Sequence, residues 1–257
     1  MRGSDLHYFP LAWPFLVGLI VALGLVILLV EIRILSYAYE KIGLSRGWAL
    51  MILVLSFLGS AINIPVAELP PETIEAPGLV EINGVRYIIP AVQDSRRTII
   101  AVNVGGAVIP ALVSIYLLLR YRLFVRGLIG VVVVAIVVHL LARPVHGVGI
   151  AVPMLIPPIV SAAIALLLGR DHAPPVAYIA GCLGTLIGAD LTNLDRVQGL
   201  GAPIASIGGA GTFDGVFLSG IIAVLITPLS RPVRTPMRRN VDRPYELEGF
   251  GPQSRRL

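Results

Sequence analysis

Seven apolar runs of 16 to 23 residues limit what this chain can become. They are Leu11–Val30, Trp48–Ile64, Thr98–Leu119, Gly127–Ala142, Gly147–Gly169, Ala173–Ala189 and Ala205–Thr227. A helix needs about 20 apolar residues, with a range of about 17–25, to cross the hydrocarbon core of a bilayer. Backbone polar groups at that depth must be satisfied within the protein, which favours helices. The expected fold is an all-α polytopic membrane protein of about seven transmembrane helices. The fourth run, 16 residues between Arg126 and Arg143, reads either as a crossing or as a tilted half-span. Composition agrees: 56% of the 257 residues are hydrophobic and 14% charged, against about 45–50% apolar and about 25% charged in soluble domains. The first run is 20 residues long and is followed by Glu31-Ile32-Arg33 rather than a small-residue cleavage site. It reads as a retained helix, not a signal peptide.

The net charge of +5 does not imply nucleic acid, because the arginines are spread over short loops and a tail. They encode topology instead. With seven crossings, one side collects 14 Lys and Arg, seven of them in the tail, and the other collects 6. The positive-inside rule then places the N-terminus outside and the C-terminus in the cytoplasm of a cell-membrane protein. Residues 1–230 form the transmembrane domain, and 231–257 a basic cytoplasmic tail without fixed structure. The tail arginines anchor topology and suit anionic lipid.

The longest connection, residues 63–97, opens acidic and proline-rich. It then places Asn83-Gly84 between Leu79–Ile82 and Val85–Ile88. Asn-Gly between two β-prone runs signals a two-residue hairpin, since both residues tolerate positive φ. A small extracytoplasmic hairpin is expected. It either stiffens the loop or offers a sheet edge to a partner segment. Pro153, Pro157 and Pro158 in the fifth run, and Gly105, Gly106 and Pro110 in the third, predict kinked spans.

The chemistry-bearing residues are two aspartates. Asp214 is the only charge between Val197 and Ser230. A carboxylate deep in a span costs about 2.5–3.5 kcal/mol on insertion scales and by default marks a functional site. Asp190 closes the preceding apolar run. Two carboxylates about 3 Å apart share one proton, so one serves as general base and the other as acid. Small residues permit close approach, with Gly184 and Gly188 forming one G-x-x-x-G and Gly211 and Gly215 another. In a regular helix Asp190 lies about 200° from Gly188, so pairing requires the sixth helix to end or unwind near Gly188. The neighbours expected to line the site are Gly188, Asn193, Gly208, Gly209, Gly211, Thr212, Phe213 and Gly215. Alternatives stay open. Asp190 also reads as an interfacial residue at a helix end, and Asp214 as the cap of a half-helix after Gly208, Gly209 and Gly211. Asn103 is a further polar group in a span. His139 reads as an interfacial hydrogen-bonding residue.

One cysteine, Cys182, excludes an internal disulfide and a C-x-x-C metal site. No phosphate-binding loop, G-x-S-x-G or H-E-x-x-H is present. No cofactor or metal is expected. The expected partners are the bilayer and a membrane-embedded peptide or an ion.

The text IGADLTNL (Ile187–Leu194), followed by GAPIASIGGAGTFDGVFLSGI (Gly201–Ile221), resembles a family of uncharacterised prokaryotic multipass membrane proteins. That resemblance implies a membrane fold and no particular activity. The two aspartates also resemble those of the presenilin and signal-peptide-peptidase class, with one near the end of a sixth span and one in a seventh. Only the aspartates carry over. Ala189 precedes Asp190, Thr212-Phe213 separates Gly211 from Asp214, and Pro110-Ala111-Leu112 lies in the third span. This resemblance implies a di-aspartyl intramembrane peptidase. The competing expectations are a proton- or cation-coupled transporter or channel, with Asp214 binding the ion, and a non-catalytic scaffold.

Overall fold

The computed structural model describes residues 13–70, 78–82, 85–89, 98–145, 149–197, 204–209 and 215–228. Among them are seven α-helices: α1 (Trp13–Lys41), α2 (Arg46–Gly59), α3 (Ile109–Tyr121), α4 (Phe124–Leu141), α5 (Ile156–Leu168), α6 (Ala173–Thr185) and α7 (Gly215–Ile226). The strands are β1 (Asn63–Leu69), β2 (Gly78–Ile82), β3 (Val85–Ile89), β4 (Thr98–Asn103), β5 (Arg143–Val145), β6 (Gly149–Ala151) and β7 (Ile204–Ile207).

Each apolar run contains one helix. Four helical stretches are long and apolar enough to cross a membrane: Leu16–Lys41, Val104–Tyr121, Phe124–Leu141 and Arg170–Arg196. The chain is a membrane protein. α4 is a continuous 18-residue helix, so the fourth run is no fragment. α2, α5 and α7 have only 14, 13 and 12 residues. At 1.5 Å per residue they reach about 18–21 Å, short of a hydrocarbon core about 30 Å thick.

Three expectations need correction. The first helix does not stop at Val30 but continues through Glu31 and Arg33 to Lys41. The fold is not all-α, because four runs are part strand. α2 leads into β1, β4 precedes α3, β6 precedes α5 and β7 precedes α7. The strand portions are rich in β-branched residues, as in Thr98-Ile99-Ile100-Ala101-Val102, which favour a pleated backbone. Nor do the prolines of the fifth run sit in a helix interior: Pro153 precedes α5 and Pro157 falls in its first turn, where the missing N–H is one the helix would leave free anyway. In the third run Gly105 and Gly106 lie in a π-turn, Val104–Val108, directly before Pro110 and α3.

The strands form three small sheets. β2 and β3 make the expected hairpin, in register from Gly78↔Ile89 to Ile82↔Val85. β5 and β6 form a second hairpin. The third sheet has the order β1-β4-β7, with β1 antiparallel and β7 parallel to β4.

α6 is the centre of the bundle. All of it is buried except Leu183, against α3, α4, α5 and α7. The Gly184–Gly188 seam faces α4. A Cβ on Gly184 would lie 2.6 Å from Val134 Cβ, and one on Gly188 would lie 2.9 Å from Ala135 Cα. α7 is approached on another side, where a Cβ on Gly181 would meet Gly220 Cα at 3.0 Å. The outer faces of α1, α3 and α4 expose Leu19, Leu23, Ile115, Leu119, Leu128 and Ile136. These faces suit lipid.

The two ends of the bundle differ. At one end Lys41 Nζ donates to Val224 O at 2.8 Å and also to Thr227 O, capping α7 with the last residue of α1. Tyr121 OH donates to Ile42 O at 3.2 Å, and the Tyr121 and His172 rings meet at 5.9 Å. Arg46, Arg120, Arg122, Arg126 and Arg170 lie along the helix termini and loops of this end. The strands gather at the other end.

Overpacking a filled helix contact costs about 1–3 kcal/mol. Gly188→Val should therefore lower the thermal unfolding midpoint in detergent. Gly18 has open space where a Cβ would fall, with nothing within 4 Å. It should accept alanine with no loss and a gain of up to about 1 kcal/mol. Equal stability of Gly188→Val and wild type would contradict the packing.

Candidate functional site

α6 gives way where the sequence turns small and polar. After Thr185 the chain makes a wide π-turn over Leu186–Asp190 and then a 3-10 segment over Leu191–Arg196. Such turns release carbonyls from the regular ladder, and they recur at functional sites. Asn193, fully buried, takes up two of the released carbonyls. Its Nδ2 donates to Gly188 O at 2.9 Å and Ala189 O at 3.0 Å. Thr192 Oγ1 donates to Gly188 O at 3.0 Å and lies 2.9 Å from His139 Nδ1. With the hydroxyl hydrogen directed at Gly188, Nδ1 is the donor to Thr192. His139 is thus a hydrogen-bonding residue at the end of α4. Asn193 Oδ1 is buried and without a hydrogen-bond partner.

Asp190 ends the π-turn half-buried. Its Oδ2 accepts the backbone N–H of Gly208 at 2.7 Å. Gly208 follows β7 with φ +83°, and Gly209 repeats that value. Only glycine takes this conformation freely. Ser206 fixes the turn: its Oγ donates to Gly209 O at 2.7 Å, and its carbonyl accepts Gly209 N at 3.1 Å.

Beside it, β4 ends in a second turn of similar composition. Val104–Val108 is a π-turn containing Gly105-Gly106-Ala107. It lies against the first, with a Cβ on Gly208 falling 2.6 Å from Ala107 Cβ. Asn103 is fully buried between them. Its Oδ1 accepts Gly106 N at 2.8 Å, and its Nδ2 donates to Ser60 O at 2.8 Å and Asn63 Oδ1 at 3.1 Å. Ser206 Oγ also lies 2.7 Å from Asn63 Oδ1, an acceptor that shares its one hydrogen with Gly209 O. Two parallel units, each a strand, a Gly-Gly turn and then a helix, therefore meet at one end of the bundle.

Of the residues expected at the site, Asp190, Asn193, Gly208 and Gly209 lie around these turns. Gly188 is used mainly for packing on α4. Gly215 is the exposed first residue of α7, with nothing within 4 Å of a Cβ position. Gly211, Thr212, Phe213 and Asp214 lie outside the described residues, and so does the pairing of Asp190 with Asp214. Ser60, Asn63, Gly106 and Ser206 join the site without having been expected there. The repeated Gly-Gly-Ala, at Gly105–Ala107 and Gly208–Ala210, is a signal for Gly106; no such pattern marks Ser60, Asn63 or Ser206. No group of three metal-ligating side chains forms among the described residues.

A cleft of about 390 Å³ between α1 and α2 leads to this region. Leu35, Leu53 and Phe57 line it, with Glu31 as its only charged group, and it reaches Gly105, Gly106 and Phe217. A Cβ on Gly106 would strike Gly208 O, so the cleft and the Asp190 turn share a wall.

Residues 57–226 match the family described as protein of unknown function (DUF1614). The chain belongs to the DUF1614 family. Neither a curated protein nor a solved structure matches it. The DUF1614 region takes in the three-stranded sheet, Asn103, Asp190 and both Gly-Gly turns. It leaves out α1 and most of α2.

Asn103→Leu should cost about 1–3 kcal/mol for each buried group left unpaired, here Gly106 N–H and Ser60 C=O. Asn103→Asp keeps the acceptor for Gly106 N–H and should be less damaging. Unfolding in detergent ranks the three proteins, and a Leu variant as stable as wild type would refute the bridging role.

Proposed function

We propose that the chain is an intramembrane hydrolase, peptidase-like, with Asp190 and Asp214 as its acid–base pair. The observation that carries this reading is the Asp190–Gly208 hydrogen bond of 2.7 Å. It joins Asp190 to Gly208, which precedes Asp214 by six residues in the sequence. The π-turn at Leu186–Asp190 supports it further, since pairing requires the sixth helix to unwind near Gly188.

The chemistry needs no covalent nucleophile. The ionised carboxylate takes a proton from water as the water oxygen bonds to the scissile carbonyl carbon. The protonated carboxyl gives its proton to the carbonyl oxygen. Collapse of the tetrahedral species breaks the C–N bond, and the amine leaves with a proton returned by the pair. The apolar cleft between α1 and α2 suits lateral entry of a membrane-embedded substrate. In this reading all seven helices cross the bilayer. The N-terminus is outside, and residues 231–257 form a cytoplasmic tail. The β1-β4-β7 sheet then lies at the extracytoplasmic surface, because an open sheet edge is not tolerated in lipid.

One observation favours transport instead. Two broken spans packed in parallel around buried amides resemble the discontinuous helices that hold coupling ions in transporters. There Asp214 binds the ion, and Asp190 anchors a turn.

Hydrolysis of membrane peptides in detergent separates the readings. Asp190→Asn and Asp214→Asn should each lower the rate at least about 100-fold, the lower range for a general acid or base. Equal hydrolysis by wild type and both variants would falsify the hydrolase. Proteoliposome flux that depends on Asp214 but not on Asp190 would establish transport.

A further inference from the structure

α1 and α2 bound a second cleft, of about 560 Å³, which adjoins the first at Ile32 and Leu50. Its lining changes character along α1. Val26, Leu29 and Val30 make one end apolar. Arg33, Ser36 and Glu40 follow, and Arg46 of the antiparallel α2 faces them. From Val26 to Glu40 the helix rises about 21 Å, at 1.5 Å per residue. An apolar trough that grades into paired cations over this length has the profile of a phospholipid, acyl chain at one end and phosphate at the other.

Two further observations point to an occupant. Ser36 is 5% exposed, and its hydroxyl has no hydrogen-bond partner. Neither Arg33 nor Arg46 has an ion-pair partner among the described residues. A buried hydroxyl and two guanidiniums therefore have donors available, in a cleft whose other charge is the Glu40 carboxylate. Arg33, Arg46 and Glu40 sum to a single positive charge, which matches a headgroup carrying one negative charge.

We propose that this cleft binds an anionic glycerophospholipid. One acyl chain lies along Val26–Val30. The phosphate sits between Arg33 and Arg46, and Ser36 donates to it. Guanidinium matches phosphate oxygens in a planar fork, and basic pockets between membrane helices suit such headgroups. The cleft lies outside residues 57–226 and shares no residue with the Asp190 site, so it stands or falls apart from the hydrolase reading.

The test titrates the detergent-purified full chain with phosphatidylglycerol, phosphatidylcholine and inorganic phosphate, with binding read from thermal unfolding and native mass spectrometry. Phosphatidylglycerol should bind at least tenfold more tightly than phosphatidylcholine. Arg33→Gln/Arg46→Gln should remove that preference, and Ser36→Ala should weaken it. If the double variant does not fold, Leu50→Trp fills the cleft and keeps both charges. It too should lose phosphatidylglycerol. Equal binding of the two lipids overturns the proposal. So does full lipid preference in the Arg33→Gln/Arg46→Gln or Leu50→Trp protein, or an equal effect of inorganic phosphate alone.

Discussion

A backbone amide or carbonyl released inside a packed protein interior has no water to turn to, and this structure depends on how that demand is met. Buried side-chain amides meet it. Asn103 bonds at once to Gly106 N–H and Ser60 C=O, while Asn193 holds the carbonyls of Gly188 and Ala189. Each lets a helix or strand end within the protein. An unsatisfied group of this kind costs about 1–3 kcal/mol, more than a typical net hydrogen bond contributes. Without the two asparagines, the π-turns after β4 and α6 would carry unpaired backbone, and continuous helices would be favoured. The strands, the Gly-Gly turns and the orientation of Asp190 all follow from the breaks they permit.

The helices were legible in the sequence because burial in lipid demands length. Every apolar run holds a helix, and β2 pairs with β3 on either side of Asn83-Gly84 in the sequence. The strand portions were not legible. Ile99–Val102 and Ile204–Ile207 are short, apolar and β-branched, and hydropathy scores them like helix. What makes them strands is the pairing of β4 with β7, about a hundred residues apart, which no local pattern encodes. The glycine seam of α6 announced close approach but not its partner, which is α4 rather than α7. For the site, helical phase named a break near Gly188 as the condition for pairing the aspartates, and a π-turn stands there. The hydrogen bond to Gly208 was not legible, because it depends on a left-handed turn brought in by β7.

The two strand–turn–helix units share more than a Gly-Gly-Ala motif. They run parallel, meet at their turns and send α3 and α7 toward the same end of the bundle. A substitution at Gly106 or Gly208 therefore acts on both units at once. The arginine-lined end is separated from this junction by the length of the bundle, so its loops can vary without disturbing the turns.

Lys41 adds a practical consequence. It is the chain's only lysine, all other basic residues of the Lys and Arg set being arginine. Its ammonium is engaged by the carbonyls that close α7. The sequence thus has one side-chain primary amine, placed at the joint between α1 and α7. Its accessibility to an amine-directed reagent reads out whether that joint is closed, without a label having to be engineered in.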